Sequence, residues 1–246
     1  MTDLDAYFAA THRRQHFGNP ISPAVLDRAL AFADLKPGGR CADLGAGNAA
    51  MSLHVADRYG LGVDAVERSA GMVELARSRL RAHPAGASVM LHEASADAFL
   101  AERRAYDLLL VMGAAGVAPG ASNLGETLAW LRGRLRSGGF VLYGDPFLRP
   151  IASPALRAAM PAAGGFADPI RAAEAAGMRA VYATESPRAD WDDYAWGIVA
   201  SLEEHRRASP DDPHLEAISA QVARMRASYL GEARDAVGFG VYLFRA

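Results

Sequence analysis

The run Tyr106-Asp107-Leu108-Leu109-Leu110-Val111-Met112 limits the fold more than any other stretch of the chain. Its apolar residues do not alternate with polar ones, so a strand here has to be covered on both faces. Strands of that kind belong to parallel sheets, where crossover helices lie over each side. The surrounding sequence supplies the partners. Short apolar runs at 40–44, 61–67, 88–93 and 140–144 read as further strands, and helical patterns recur at 22–34, 48–59, 69–83 and 123–136. Ser22 stands as an N-cap before Pro23, and Gly138-Gly139 stops the last of these helices. This alternation predicts an α/β, doubly wound, parallel sheet. The last quarter departs from it, with a helix over 169–176, a strand over 179–184, two longer helices over 191–205 and 213–230, and an extended apolar end over 237–244.

The 246 residues fit one domain. A hydrophobic fraction of 51% with 22% charged residues excludes a disordered, collagenous or coiled-coil chain. Lys36 is the sole lysine, and the arginines are balanced by acids to a net charge of −2 without any long basic block. The electrostatic footprint of a nucleic-acid binder is therefore absent. A single cysteine, Cys41, permits no intramolecular disulfide and no cysteine-rich zinc site. No apolar window has the length of a membrane span, and Met1–Ala10 carries acids rather than a signal sequence. The expectation is a cytosolic protein with a small-molecule partner, no nucleic acid, no membrane and no metal, either a monomer or a homodimer.

The chemistry concentrates at Cys41-Ala42-Asp43-Leu44-Gly45-Ala46-Gly47-Asn48-Ala49-Ala50. Two glycines between a strand and a helix allow a tight turn and a close ligand approach. Read as G-x-G-x-x-A, the loop also fits a dinucleotide fingerprint. Asp43 separates the two readings. A carboxylate at the strand end repels a diphosphate at the helix N-terminus, but it suits the ammonium and sulfonium of S-adenosylmethionine. Glu67 ends the second strand 22 residues after Gly45, the spacing at which nucleoside binders place an acid for the ribose hydroxyls. Asp64 competes for that role, and strand alternation favours Glu67.

These segments resemble class I S-adenosylmethionine-dependent methyltransferases. DLGAGNA is similar to their first motif, VERSAGMVELAR to the second-strand acid and following helix, YDLLLVMGA to the fourth strand, and LRSGGFVLYGDPFLR to the turn and fifth strand. More loosely, Asn19-Pro20, Gly144-Asp145-Pro146, Trp191/Tyr194 and the glycine-aromatic end resemble bacterial small-molecule methyltransferases of the type 11/25 kind. The resemblance implies a Rossmann-like seven-stranded, mostly parallel sheet with an antiparallel C-terminal strand and helical lid elements. It implies a single domain with an N-terminal helical cap over 1–35, a cofactor-binding core over 36–150, and substrate-side helices with the final strands over 151–246. It also implies S-adenosyl-L-methionine as cofactor, held by Asp43, Gly45, Ala46, Gly47, Glu67, Arg68, Met72, Ser95, Ala96 and Met112. Ala49 replaces the usual third glycine, Ser137 the usual turn proline, and Ser95-Ala96 the usual acid–alanine pair at the adenine. Gly113-Ala114 lacks the N/D-P-P-Y signature of the amino-methylating nucleic-acid enzymes.

Methyl transfer asks the protein mainly for alignment, so acceptor-side residues carry a weaker signature. His16 is the candidate base, and Asp145, expected just after the fifth strand, a candidate hydrogen-bond acceptor. Tyr7, His12, Phe17, Arg149, Trp191 and Tyr194 are candidate substrate contacts. His12 and His16 would share a face if their stretch were helical. The rivals are an NAD(P)-linked oxidoreductase and a non-catalytic adenosyl-binding protein.

Overall fold

A computed structural model describes residues 3–101, 105–114 and 116–246. Met1 and Thr2, the start of the expected helical cap, lie outside the described residues. The elements run α1 (Asp3–Thr11), α2 (Pro23–Leu30), β1 (Arg40–Leu44), α3 (Ala50–Tyr59), β2 (Gly62–Glu67), α4 (Ala70–Ala82), β3 (Val89–Glu93), α5 (Ala96–Leu100), β4 (Tyr106–Met112) and α6 (Leu124–Arg132). They continue with β5 (Leu135–Leu148), α7 (Pro154–Ala159), α8 (Asp168–Ala175), β6 (Arg179–Glu185), α9 (Arg188–Ala208), α10 (Leu215–Ser228), α11 (Arg234–Ala236) and β7 (Val237–Arg245).

The seven strands form one sheet in the order β3-β2-β1-β4-β5-β7-β6. Strands β1 to β5 are parallel, and β7 runs antiparallel between β5 and β6. The double-sided burial expected of 106–112 is present in every residue of β4. Leu108 and Leu110 pack with Val25, Leu26 and Leu53 on one face, and Leu109 and Val111 with Leu128 and Leu131 on the other. Strand order reverses between β1 and β4, and the crevice beyond their C-terminal ends is where such sheets bind ligands.

Three local expectations fail for physical reasons. The helix expected over 123–136 stops at Arg132, and β5 begins at Leu135. Gly138-Gly139 is not a helix stop but part of a bulge, where Leu135 pairs with Tyr106 and Phe140 with Leu108. Likewise β5 does not end at Gly144, because β7 pairs with it as far as Leu148. The helix expected from Asn48 begins at Ala50, preceded by Ala49 at φ +57° in the left-handed region. A side chain there costs about 1–2 kcal/mol, which is the reason glycine suits this position. Among the described residues no helix is long and apolar enough to cross a membrane.

Candidate active site

The first two strand tips are cross-linked to the loops they face. Asp43 is 3% exposed and accepts a 2.6 Å hydrogen bond from Ser52 Oγ on α3. Burial pushes its pKa up to about 6, and the charge of Glu67 adds to the shift. Gly45 turns at φ +79°, and a Cβ there would meet the Ala114 Cβ at 2.7 Å. Only glycine lets the β1 loop pass the β4 loop this closely. Glu67 accepts from the Gly47 amide at 2.9 Å and the Ser69 amide at 2.7 Å, so one carboxylate joins the glycine loop to the start of α4.

Five amide donors of the glycine loop are consumed internally. The amides of Gly45 and Ala46 both donate to the Val66 carbonyl, at 2.9 and 3.0 Å. That of Gly47 goes to Glu67, that of Ala49 to the Ala46 carbonyl, and that of Ala50 to Asn48 Oδ1. An anion-binding nest needs such groups pointing outward.

A cavity of about 220 Å³ opens over these tips. Asp43, Gly45, Ala46, Gly47, Glu67, Arg68, Met72, Ser95, Ala96 and Met112 all line it. Asp64 does not; it faces away, accepting from His92 Nε2 at 2.8 Å and from the Tyr106 hydroxyl at 2.9 Å. Ser95 occupies the N-cap position of α5, and its hydroxyl donates to Asp97, which lowers that carboxyl's pKa. The residues expected at the cofactor do not include Phe8, Asn19, Asn48 and Met51, which also line the wall. Asn48 and Met51 flank the glycine loop in sequence and could have been included from its spacing. Phe8 on α1 and Asn19 on the segment after it lie outside the spacing of the glycine loop.

The roof is an irregular strap, residues 12–22, between α1 and α2. Helix α1 ends at Thr11, so His12 and His16 do not share a helical face. His12 is 2% exposed and lines the cavity, whereas His16 is exposed and does not. The tautomer of His12 follows from its neighbours. The Thr11 hydroxyl donates to the Tyr7 carbonyl at 2.7 Å, so towards His12 it can only accept. His12 Nδ1, 2.9 Å away, therefore carries the proton, and Nε2 accepts from the Tyr194 hydroxyl at 3.2 Å. Burial lowers the His12 pKa to about 4, so the ring is neutral near pH 7.

A second cavity of about 370 Å³ lies on the outer side of the strap. His16, Phe17 and Tyr194 line it, together with Asp190 and Asp193 of α9, and Asn19 lines both cavities. The remaining candidates lie elsewhere. Tyr7 packs with Ile198, Leu202 and Val222 under the lid helices. Asp145 sits inside β5 opposite Gly240 rather than after the strand, accepts from the Tyr143 hydroxyl at 3.0 Å, and lines neither cavity. Arg149 is spent on the Val237 carbonyl at 2.8 Å and on Glu185 at 3.2 Å. Trp191 packs against Tyr194, Tyr229 and Phe239 and lines neither cavity.

Residues 41–139, from β1 into β5, match a family model described as a methyltransferase domain. No curated protein matches the chain. Among solved structures, an S-adenosylmethionine-dependent methyltransferase from Thiobacillus denitrificans, in complex with S-adenosyl-L-homocysteine, is 24% identical with a TM-score of 0.84, over 97% of each chain. One from Geobacter sulfurreducens, also in complex with S-adenosyl-L-homocysteine, is 22% identical with a TM-score of 0.85, over 97% of each chain. YjhP from E. coli is 22% identical with a TM-score of 0.84, over 98% of this chain and 99% of its own. The chain shares the fold of these S-adenosylmethionine-dependent methyltransferases, and the segment from β1 into β5 matches a methyltransferase domain.

Proposed function

We propose that the chain is a class I S-adenosyl-L-methionine-dependent methyltransferase that methylates an oxygen, nitrogen or carbon atom of a small molecule, and that Asp43, Glu67 and the residues around them form the cofactor site. One observation carries the site assignment: the cavity at the β1/β4 crevice presents carboxylates, while the glycine-loop amides are turned inward. That combination suits a cationic adenosyl donor better than a dinucleotide diphosphate. The residues fit the donor's parts. Glu67 faces the ribose hydroxyls with lone pairs beyond those used by Gly47 and Ser69. The Ser95-Ala96 turn and Met112 flank the adenine, and Asp43 offers negative charge to the methionyl end.

When bound, the cofactor supplies an activated methyl group on a sulfonium. The chain's own residues bind, orient and exclude water. Phe8, His12 and the strap cover the cavity mouth. The acceptor enters from the lid side, where the His12–Tyr194 pair fixes the roof, and the second cavity gives it room. His12 in its neutral form orients rather than repels a nucleophile. Isothermal titration tests the reading: S-adenosylhomocysteine binds and NAD(H) does not, and the reverse result removes it. Release of S-adenosylhomocysteine with a panel of small metabolites then identifies the acceptor class, and turnover confined to a macromolecule would contradict the small-molecule assignment.

A further inference from the structure

Helix α3 carries a hydroxyl where packing asks for none. Ser52 is 0% exposed, does not line the cavity, and belongs to the buried face of α3 with Met51, Leu53, Val55 and Ala56. Alanine would serve that face better, with a higher helix propensity and no polar group to bury. The Ser52 hydroxyl donates to the Asp43 carboxylate at 2.6 Å, the short distance of a charge-assisted bond. The Ser52 amide, in the first turn of α3, favours the same charged form, and the helix N-terminus adds its partial positive charge. The other groups around Asp43 oppose that form or leave it alone. Burial raises the Asp43 pKa to about 6, and the charge of Glu67 on β2 adds to the rise. Cys41 on the same strand is a buried thiol that burial and Asp43 itself push up, so it stays neutral. The residues paired with Asp43 across the sheet, Ala65 on β2 and Leu110 on β4, do not titrate. His12 and Arg68 line the same cavity, His12 neutral near pH 7 and Arg68 exposed.

We infer that Ser52 is a positioning residue of the donor site: its hydroxyl orients Asp43 and holds it as a carboxylate for the cationic end of S-adenosylmethionine. Ser52 touches no ligand itself, because it is fully buried and lies outside the cavity lining. One Asp43 oxygen takes the Ser52 proton, and the carboxyl's remaining lone pairs are left to the cavity that Asp43 lines. Without the hydroxyl, only the α3 amide would offset burial and Glu67, and the proton would return to Asp43 at a higher pH. A protonated Asp43 gives a cation neither charge nor a fixed acceptor. Ser52 thereby sets the acid limit of donor binding.

This inference rests on the cofactor reading above, and its test separates the two. S-adenosylhomocysteine carries the donor's ammonium, and 5′-methylthioadenosine shares its adenosine and thioether without the amino acid. Isothermal titration of the full chain between about pH 5 and pH 8.5 reads both ligands. In Ser52→Ala the midpoint of the acid loss of S-adenosylhomocysteine affinity should rise by about one pH unit, the loss of one charge-assisted hydrogen bond. That affinity should be about 5–10-fold below the unaltered chain's at pH 6.5 and within about threefold of it at pH 8.5. Binding of 5′-methylthioadenosine should change less than about twofold at either pH, which also shows that the cavity is still folded. Ser52→Thr, which keeps the hydroxyl, should return the profile to that of the unaltered chain. A Ser52→Ala profile that superimposes on the unaltered one would overturn the inference. So would weakening that is equal for both ligands or the same at every pH, which would make Ser52 a shaping residue, and so would a Ser52→Thr profile that stays with that of Ser52→Ala. If the unaltered chain binds neither ligand, the cofactor reading itself fails. If it binds S-adenosylhomocysteine with no pH dependence, that reading stands and the role of Ser52 falls.

Discussion

The strand tips around the proposed cofactor cavity and the segment that roofs them are held together by different means. From β1 to the β4 loop, the site is cross-linked over short sequence distances: Asp43 to Ser52, Glu67 to Gly47 and Ser69, Asn48 to Ala50. Each link ties a strand tip to the turn or helix near it. The lid is cross-linked over nearly the whole chain. Residues of α1 and the strap reach α9, with Arg14 on Ser201, Gln15 on the Tyr194 carbonyl and His12 on the Tyr194 hydroxyl. The local links hold the strand tips to the turns beside them. The long-range links join elements outside the sheet and can open without disturbing it, as a cover over a site that exchanges ligand must.

The largest effect expected from this contrast is at Glu67. Glu67→Ala removes the acceptor of two amides and the proposed ribose ligand, so S-adenosylhomocysteine affinity measured by titration should fall at least ~100-fold. Asp64→Ala, three residues away on the same strand, should leave the affinity within about twofold and instead lower the melting temperature, because its partners His92 and Tyr106 belong to strands of the packed sheet. Loss of binding in the Asp64 variant with retention in the Glu67 variant would exchange the two roles.

The same contrast explains what the sequence made legible. Arg40–Leu44 and Tyr106–Met112 were readable to the residue, because burial on both faces leaves a composition signature. The ten residues suggested for the cofactor share one cavity because strand ends, glycine turns and the spacing to Glu67 are local rules. The acceptor side was hidden for two physical reasons. Asp145 looked like a loop residue because β5 was expected to stop at Gly144, and only pairing with β7, almost a hundred residues later, carries it on to Leu148. Phe8 reaches the cavity from α1 and Asn19 through the strap, whose path is set by contacts with α9 and with Ser186 after β6 and not by any periodicity of its own. His16 drew attention by its neighbours in sequence, but the strap turns it outward and His12 inward.

An intermediate effect is expected from Asp43. With its pKa raised to about 6, the buried carboxyl is neutral in acid and ionised at pH 7. If the donor's cation is held by the ionised form, binding of S-adenosylmethionine weakens about tenfold between pH 7 and pH 5. Asp43→Asn should bind weakly at both values and flatten the profile. The same group acts on stability in the opposite sense. The folded chain holds this proton more tightly than the unfolded chain, so the contribution is present at low pH and is lost as pH rises through about 6. A ligand-free melting curve that gains from Asp43→Asn at pH 8 and not at pH 4 would carry that signature.

The smallest effect belongs to the lid. Tyr194→Phe takes away the hydroxyl that donates to His12 Nε2 and leaves a buried acceptor unpaired, at a cost of about 1 kcal/mol. In a chain of this size that lowers the melting temperature by about 2–4 °C. S-adenosylhomocysteine affinity should stay within about threefold, because the hydroxyl touches the roof and not the strand tips. Acid exposes the same pair. The folded His12 has its pKa lowered to about 4 by burial, so the unfolded chain takes up the proton first, and stability falls as pH drops from about 6.5 towards 4. His12→Asn should remove that part of the acid loss while the Asp43 dependence of binding persists. A Tyr194→Phe variant that loses cofactor as severely as Glu67→Ala would mean that the lid is part of the cofactor site itself, and the division between a rigid sheet edge and a movable cover would not hold.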